Sequence, residues 1–185
     1  MNAEKLAYLI DAHDRLVSLN TGWARFAESN QASGLSTNVL GQSLWRYVHG
    51  RETKHVYEIL LRRARNDYRC LNFPFRCDAP TKRRHLSMEM CPHPDGAVEF
   101  VSTLLREETR SHLALLDPTL ERDETFVKTC SWCKKVQASQ WVEVEAAISE
   151  IGLFDRPRLS QMSHGMCPDC LWLFKTLLGP KRPVA

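Results

Sequence analysis

The sequence CSWCKKV at residues 130–136, together with CPDC at residues 167–170, divides this chain of 185 residues into two modules. A Cys-x-x-Cys turn directs two thiolates toward one metal ion, and two such turns complete the tetrahedral ligand set that structural zinc prefers. The motifs therefore predict a structural zinc site. Its predicted ligands are Cys130, Cys133, Cys167 and Cys170.

The residues that follow each motif predict helices. Pro168 suits the first position of a helix and Asp169 opposes the positive end of the helix dipole, so residues 168–178 are predicted to be helical. Residues 134–166, 33 in number, separate the two motifs, which is more than a short zinc ribbon has. This insert carries apolar residues at helical spacing, which predict a helix at about 139–151.

The second module, residues 127–180, is therefore expected to be mainly helical. So short a segment cannot build a sufficient core alone. Its folding is expected to depend on the bound metal.

The same four cysteines are open to other chemistry. Without metal, a CxxC pair serves as a redox dithiol, and a four-sulfur site also accepts iron. His164 lies three residues before Cys167, where it is placed either to replace one cysteine or to hydrogen-bond a coordinated sulfur. We expect zinc as the metal and the hydrogen-bonding role for His164.

The segment at residues 128–172 resembles a cysteine-rich tail found after PAS and other sensory or receiver domains in bacterial signalling proteins. That tail reads C-x-x-C-K-K-(I/V), then Trp, then S-H-G-(I/M)-C-P-x-C. The matching residues are Cys130, Cys133, Lys134, Lys135, Trp141, Ser163, His164, Gly165, Cys167, Pro168 and Cys170. The resemblance implies a zinc-binding module of a signalling protein.

The first module, residues 1–110, is predicted to contain two strands, several short helices and three more strands. Apolar runs at 6–10 and 15–19 predict a hairpin, and a helical apolar face predicts a helix at 52–66. The later strands are predicted at residues 68–77, 83–91 and 98–107. The charge-rich residues 111–126, interrupted by a proline, are predicted as a linker.

This order resembles the PAS fold, a five-stranded antiparallel sheet with helices on one face. The stretch DAHDRLVSLNTGWARFA at residues 11–27 resembles the PAS opening, in which an Asn follows the second strand and a Trp and a Phe lie on the next helix. Here these are Asn20, Trp23 and Phe26. The chain is therefore expected to be α+β, with a PAS-like domain before the four-cysteine zinc-binding module. The resemblance implies a sensory domain that binds a small molecule, or a dimerisation unit.

A ligand of the PAS-like domain would lie in an apolar pocket with a few polar groups. The candidate lining residues are Trp45, His49, His55, Tyr57, Phe75 and Met88. The two histidines lie where a haem ligand would be needed, although a lone His on a mixed helix is more typical of a surface residue. Neither CxxC motif is followed by His, which excludes covalently attached c-type haem.

The remaining three cysteines, Cys70, Cys77 and Cys91, alternate with apolar residues. We predict that they are small residues of a core or a sheet face. The N-terminus lacks the basic start and apolar run of a signal peptide, and no apolar run approaches the ~18 residues of a membrane span. A cytoplasmic protein without membrane contact is expected, with its thiols reduced.

The formal charge of +3 is weak evidence for nucleic-acid binding. Residues 1–110 carry 16 Lys and Arg against 13 Asp and Glu, whereas residues 111–185 carry nine of each. A nucleic-acid-binding finger would be basic, so no nucleic-acid partner is expected.

The sequence also contains no phosphate-binding glycine loop, kinase motif or nucleophile elbow. We therefore expect a non-catalytic signal-transduction protein that acts as a homodimer or through a partner protein. The alternatives are a thiol redox switch formed by the CxxC pairs and a sensor of haem or another small ligand.

Overall fold

The computed structural model describes residues 5–29, 38–152 and 158–179. These residues form two compact units that interleave along the chain. The first unit contains residues up to 74 and residues 86–105, and the second contains residues 75–85 and 106–179. The predicted division near residue 110 thus differs, because the hairpin at 75–85 belongs with the later residues.

A five-stranded antiparallel sheet in the strand order β2-β1-β5-β4-β3 confirms the predicted α+β architecture. Strands β3, β4 and β5 each begin in one unit and end in the other. The strands are β1 (Lys5–Ile10), β2 (Leu16–Leu19), β3 (Leu71–Arg76), β4 (Lys82–Pro92) and β5 (Val98–Thr109).

The helices of the first unit lie between β2 and β3 in the sequence. Those with described bounds are α1 (Thr21–Ser29), a 3₁₀ helix (Leu44–Arg46) and α2 (Arg51–Asp67). Helix α2 buries Leu60, Leu61 and Ala64 and ends where Tyr68 adopts a left-handed conformation with φ 51°. The helix predicted at 52–66 is therefore present with almost the same bounds.

Asn20 fixes the start of α1. Its side-chain oxygen accepts hydrogen bonds from the Trp23 N–H (2.8 Å) and the Ala7 N–H (3.0 Å), and its amide donates to the Lys5 carbonyl (2.8 Å). An asparagine oxygen satisfies a free amide at a helix start, which is the N-cap function. Position 22 requires a glycine, because a Cβ there would lie 2.3 Å from the Lys5 carbonyl oxygen.

Aromatic side chains fill the core of the first unit. Phe73 and Phe100 are about 1% and 0% exposed, and Tyr8 stacks on Phe100 with ring centroids 4.5 Å apart. Tyr57 on α2 stacks on the same ring at 6.4 Å. Burial raises the pKa of the Tyr8 hydroxyl well above its usual value. The core therefore couples the central strands to α2.

Cys70 and Cys91 form a disulfide, in contrast to the prediction that they are small residues of a core or a sheet face. The turn after β3 pairs Ala79 with Lys82, and continuing this register outward along both strands places Cys70 opposite Cys91. Their Cα atoms are 4.2 Å apart, as in a close pair of antiparallel residues. Sequence patterns do not specify register, and for this reason the pairing was missed.

The second unit contains a four-stranded sheet, in contrast to the mainly helical module that was predicted. The sheet has the order β8-β7-β6-β9, with β6 (Arg122–Cys130), β7 (Val136–Gln137), β8 (Trp141–Val142) and β9 (Leu159–Gly165). Within the described part of this unit, it is accompanied by α3 (Val144–Glu150) and α4 (Pro168–Leu178). The helix predicted at 168–178 has the bounds of α4.

The helix predicted at about 139–151 is shorter than expected, because Trp141 and Val142 pair with β7 instead. Apolar residues at a spacing of three and four fit a helix, but the first of them belongs to a strand. The predicted linker, residues 111–126, also carries structure. Leu113 and Leu115 are buried with Val127 in the core of this unit, and Leu115 lies in a 3₁₀ helix (Ala114–Leu116).

A cluster of ion pairs holds the hairpin at 75–85 within the second unit. The Arg76 side chain, 6% exposed, pairs with Asp78 and with Glu143 (2.7 Å). Arg110 pairs with Asp78 at 3.2 Å, and Arg83 pairs with Glu145 at 2.8 Å. Asp78 is only 2% exposed, so its charge depends on these arginines rather than on water.

Replacing Asp78 with Asn is predicted to lower the free energy of unfolding by about 3 kcal/mol, because two nearly buried guanidinium groups lose their shared carboxylate. The matched control is Glu52→Gln in the exposed pair with Arg51, which should cost under about 0.5 kcal/mol. Urea unfolding followed by circular dichroism measures both. Equal losses in the two variants would contradict the assigned role of Asp78.

Candidate metal centre

Parallel pairing of β6 and β9 brings the two CxxC motifs to one place. Cys130 ends β6 and lies opposite Gly165, which ends β9 two residues before Cys167. Parallel strands have their carboxyl ends at the same edge of a sheet. Each motif directly follows one of these ends, so the pairing itself delivers the four cysteines to a common point.

The first motif is a tight turn closed by backbone hydrogen bonds. The Lys134 N–H donates to the Cys130 carbonyl (3.1 Å), and the Cys130 N–H donates to the Lys135 carbonyl (2.8 Å). Lys134 adopts a left-handed conformation with φ 60°, which reverses the chain into β7. The Ser131 N–H donates to the Gly165 carbonyl (2.9 Å), so the turn is also fixed to the end of β9.

The second motif occupies the start of α4. Cys167 is the N-cap residue, and its sulfur accepts a hydrogen bond from the Cys170 N–H at 3.5 Å. Pro168 and Asp169 form the first turn, as the sequence predicted. The positive end of the helix dipole favours thiolates at this position.

The four sulfur atoms lie within 4.8 Å of one another. The Cys133 and Cys167 sulfurs are 3.6 Å apart, close to the ~3.8 Å edge of a tetrahedron with zinc–sulfur bonds of about 2.3 Å. Cys130, Cys167 and Cys170 are buried and Cys133 is half-buried. The set therefore fits a tetrahedral metal ion with four thiolate ligands, and its donor chemistry suits zinc.

Hydrogen bonds among the cysteine side chains shift the pKa values of three of the four thiols. Hydrogen bonds from the Cys133 and Cys170 thiols lower the pKa of Cys130 far below its usual range. The hydrogen bond with Cys130 raises the pKa of Cys133 to about 12, and the same neighbours raise the pKa of Cys170. Cys133 and Cys170 must therefore lose their protons when a metal ion binds. A divalent cation takes the place of these protons on the sulfur atoms.

Trp132, inside the first motif, joins the two halves of the centre. It is 3% exposed and meets Phe174 of α4 edge-on, with ring centroids 6.0 Å apart. The Trp132 carbonyl accepts a hydrogen bond from the Arg76 N–H at 2.7 Å. The CxxC spacing did not predict either contact, although a Trp between two ligands is a signal for buried packing.

Two adjacent lysines follow the first motif in different surroundings. The Lys134 ammonium donates to the Ser131 carbonyl (2.9 Å), and burial lowers the pKa of this group. Lys135 extends to Asp169 of α4 at 3.4 Å, and Asp169 is 80% exposed. Lys134 therefore interacts electrostatically with Cys77, Asp78 and Cys130, whereas Lys135 forms an exposed ion pair.

His164 lies in β9, opposite Thr129, and is half-buried. It is adjacent to Gly165 and three residues before Cys167, so it belongs to the strand that leads into the second motif. The four cysteines offer one sulfur for each position of a tetrahedral metal ion. Its predicted role toward a coordinated sulfur stays a prediction.

The residues predicted to line a ligand pocket lie in different surroundings. His49 and His55 are exposed, and His55 lines an open surface groove with Arg51 and Glu58. Trp45 lines a second groove, where its indole N–H donates to Asp14 at 2.9 Å. The described grooves therefore do not bring Trp45 and His55 together.

The other three pocket candidates contribute to packing. Met88 is 4% exposed and its sulfur contacts the Ser102 hydroxyl at 3.6 Å. Tyr57 stacks on Phe100, as described above. Phe75 is half-buried and belongs to the second unit, whereas the other candidates belong to the first.

Helix α4 buries some of its apolar side chains and exposes others. Cys170 and Phe174 face the interior, but Leu171 is 39% exposed and Trp172 is 70% exposed. Helix α4 therefore exposes two large apolar side chains on the described surface of the chain.

No protein-family model matches this chain, and no curated protein matches it. Among the described residues, no helix combines the length and the apolar character that membrane crossing requires. The PAS resemblance and the resemblance of the cysteine-rich tail thus stay predictions from the sequence.

Cys130→Ser and Cys167→Ser are predicted to abolish stoichiometric zinc binding and to unfold the second unit, since each removes one of four ligands from a module with a small core. Elemental analysis and limited proteolysis measure the two effects. Cys77→Ser is the control, because Cys77 lies outside the cluster. Zinc retention in both ligand variants would contradict this assignment.

Lys134→Met is predicted to weaken zinc binding by about 10-fold, because it removes a half-buried positive charge that interacts with Cys130 while keeping the side-chain volume. Competition with a chromophoric chelator gives the affinity. Lys135→Met, at the exposed neighbouring lysine, should change it by less than about twofold. Equal weakening by the two variants would show that Lys134 acts only through the net charge of the chain.

Proposed function

We propose that this chain is a non-catalytic cytoplasmic signalling protein. In this proposal a PAS-type sensory or adaptor domain is joined to a module that one structural zinc ion holds together. Signals leave the protein through dimerisation or a partner protein rather than through a reaction.

The single observation that carries the proposal is the closed set of four cysteines. A catalytic zinc keeps one position open for water or substrate, whereas a structural zinc is enclosed by four protein ligands. Here four sulfurs lie within 4.8 Å of one another, and three of the cysteines are buried. This geometry supports a structural role and leaves no ligand position for a substrate.

The sensory part of the proposal has two supports. One is the five-stranded antiparallel sheet with helices between β2 and β3, the architecture that the PAS resemblance implies. The other is the opening stretch at 11–27, where Asn20 caps α1 as a residue after the second strand. The exposed apolar side chains of α4 support output by contact with protein.

The test is size-exclusion chromatography of the freshly purified chain with light scattering, an absorption spectrum and metal analysis of the same peak. We expect a colourless protein with about one zinc per 21.3 kDa chain and a mass near that of a dimer. A monomer would assign the output to a partner protein. A visible absorption band, or a metal-free folded protein with disulfides in the CxxC pairs, would contradict the proposal.

A further inference from the structure

The seven cysteines of the chain occupy three different environments. Four converge on the metal centre, and Cys77 is a single half-buried thiol. Cys70 and Cys91 form a pair of their own in the first unit, bonded to each other. This pair is outside the metal centre and has no part in the function proposed above.

Among the cysteines of the described residues, Cys70 is the most accessible to solvent. Cys70 is exposed and Cys91 is half-buried, whereas three of the four cluster cysteines are buried. Burial raises the pKa of the Cys77 thiol, which lowers its thiolate fraction at neutral pH. Because oxidation follows exposure and thiolate character, an oxidant in solution reaches Cys70 before the others.

The position of the pair gives its oxidation a structural consequence. Cys70 immediately precedes β3 and Cys91 lies near the end of β4, so the bond closes the base of the β3–β4 hairpin. The tip of the same hairpin, residues 75–85, belongs to the metal-bearing unit. There the Arg76 N–H donates to Trp132 within the first CxxC motif at 2.7 Å.

We propose that Cys70 and Cys91 form a reversible dithiol–disulfide couple, a thiol-oxidation site separate from the metal centre that fixes the base of the β3–β4 hairpin. In the oxidised form a covalent bond joins the first residue before β3 to β4. In the reduced form only backbone pairing holds this end of the edge strand.

The reaction balances with a low-molecular-weight disulfide such as oxidised glutathione. The Cys70 thiolate attacks one glutathione sulfur, forms a mixed disulfide and releases the first glutathione thiolate. The Cys91 thiolate then attacks the Cys70 sulfur and releases the second glutathione. Two cysteine thiols are oxidised, one glutathione disulfide is reduced to two thiols, and the two protons pass to the released glutathione.

The test equilibrates the full-length, metal-containing protein in glutathione buffers from fully reduced to fully oxidised. Intact mass and peptide mapping should show the loss of about 2 Da and a single Cys70–Cys91 bond, with the metal still bound. Disulfides among the metal ligands with release of the metal, or no internal bond in any buffer, would overturn the proposal. Metal analysis of the starting protein separates this failure from a failure of the proposed zinc site.

Variants keep the test specific. Cys70→Ser should abolish the internal bond and leave Cys91 as a glutathione adduct, whereas Cys77→Ser should behave as the unmodified chain. Hydrogen exchange of the amides in β3 should slow by about 10-fold on oxidation, and only in chains that hold both cysteines. Equal exchange in the oxidised and reduced forms would overturn the role of the pair in fixing the hairpin.

Discussion

The second unit depends on one constraint, which is that four sulfur atoms must reach a single point. The parallel pairing of β6 and β9 meets it, since Cys130 and Gly165 end the two strands side by side. Parallel strands cannot be joined by a tight turn and need a crossover of a dozen or more residues. The long insert between the motifs is that crossover, and it carries β7, β8 and α3. An insert of this length is sufficient for the parallel direction of the two strands.

A small core makes the other interactions of this unit more important. Among the described residues, one buried apolar cluster of this unit consists of Leu113, Leu115, Val127, Val136, Val144, Ala147 and Ile148, and Trp132 and Phe174 are buried near the cysteines. So few apolar side chains stabilise a fold only weakly, and small domains commonly add a metal or other cross-link. The nearly buried pairs of Arg76 and Asp78 are costly to form but more costly to break, so they specify where the hairpin at 75–85 docks within its unit.

Features that depend on neighbouring residues in the sequence could be predicted, whereas features that depend on the register between distant strands could not. Pro168 and Asp169 mark the start of α4, and the CxxC spacing identifies four residues that the fold brings together. Trp141 shares helical spacing with Ile148, yet it pairs with Gln137 in a strand. The spacing of apolar residues alone cannot separate a short strand from the helix that follows it. The Cys70–Cys91 bond and the β6–β9 pairing require knowing which residues of distant segments lie opposite each other.

The first CxxC turn holds the end of β3 through one backbone hydrogen bond. β3 is one continuous strand whose last residue, Arg76, donates its N–H to the Trp132 carbonyl inside the first CxxC turn. A bound metal fixes that turn and therefore the position of the acceptor. Unfolding of this turn would also separate Trp132 from Phe174. The Arg76 N–H, in a residue that is nearly buried, would then lack a fixed acceptor, and an unsatisfied buried amide costs about 1–3 kcal/mol. That cost falls on β3, an edge strand of the five-stranded sheet.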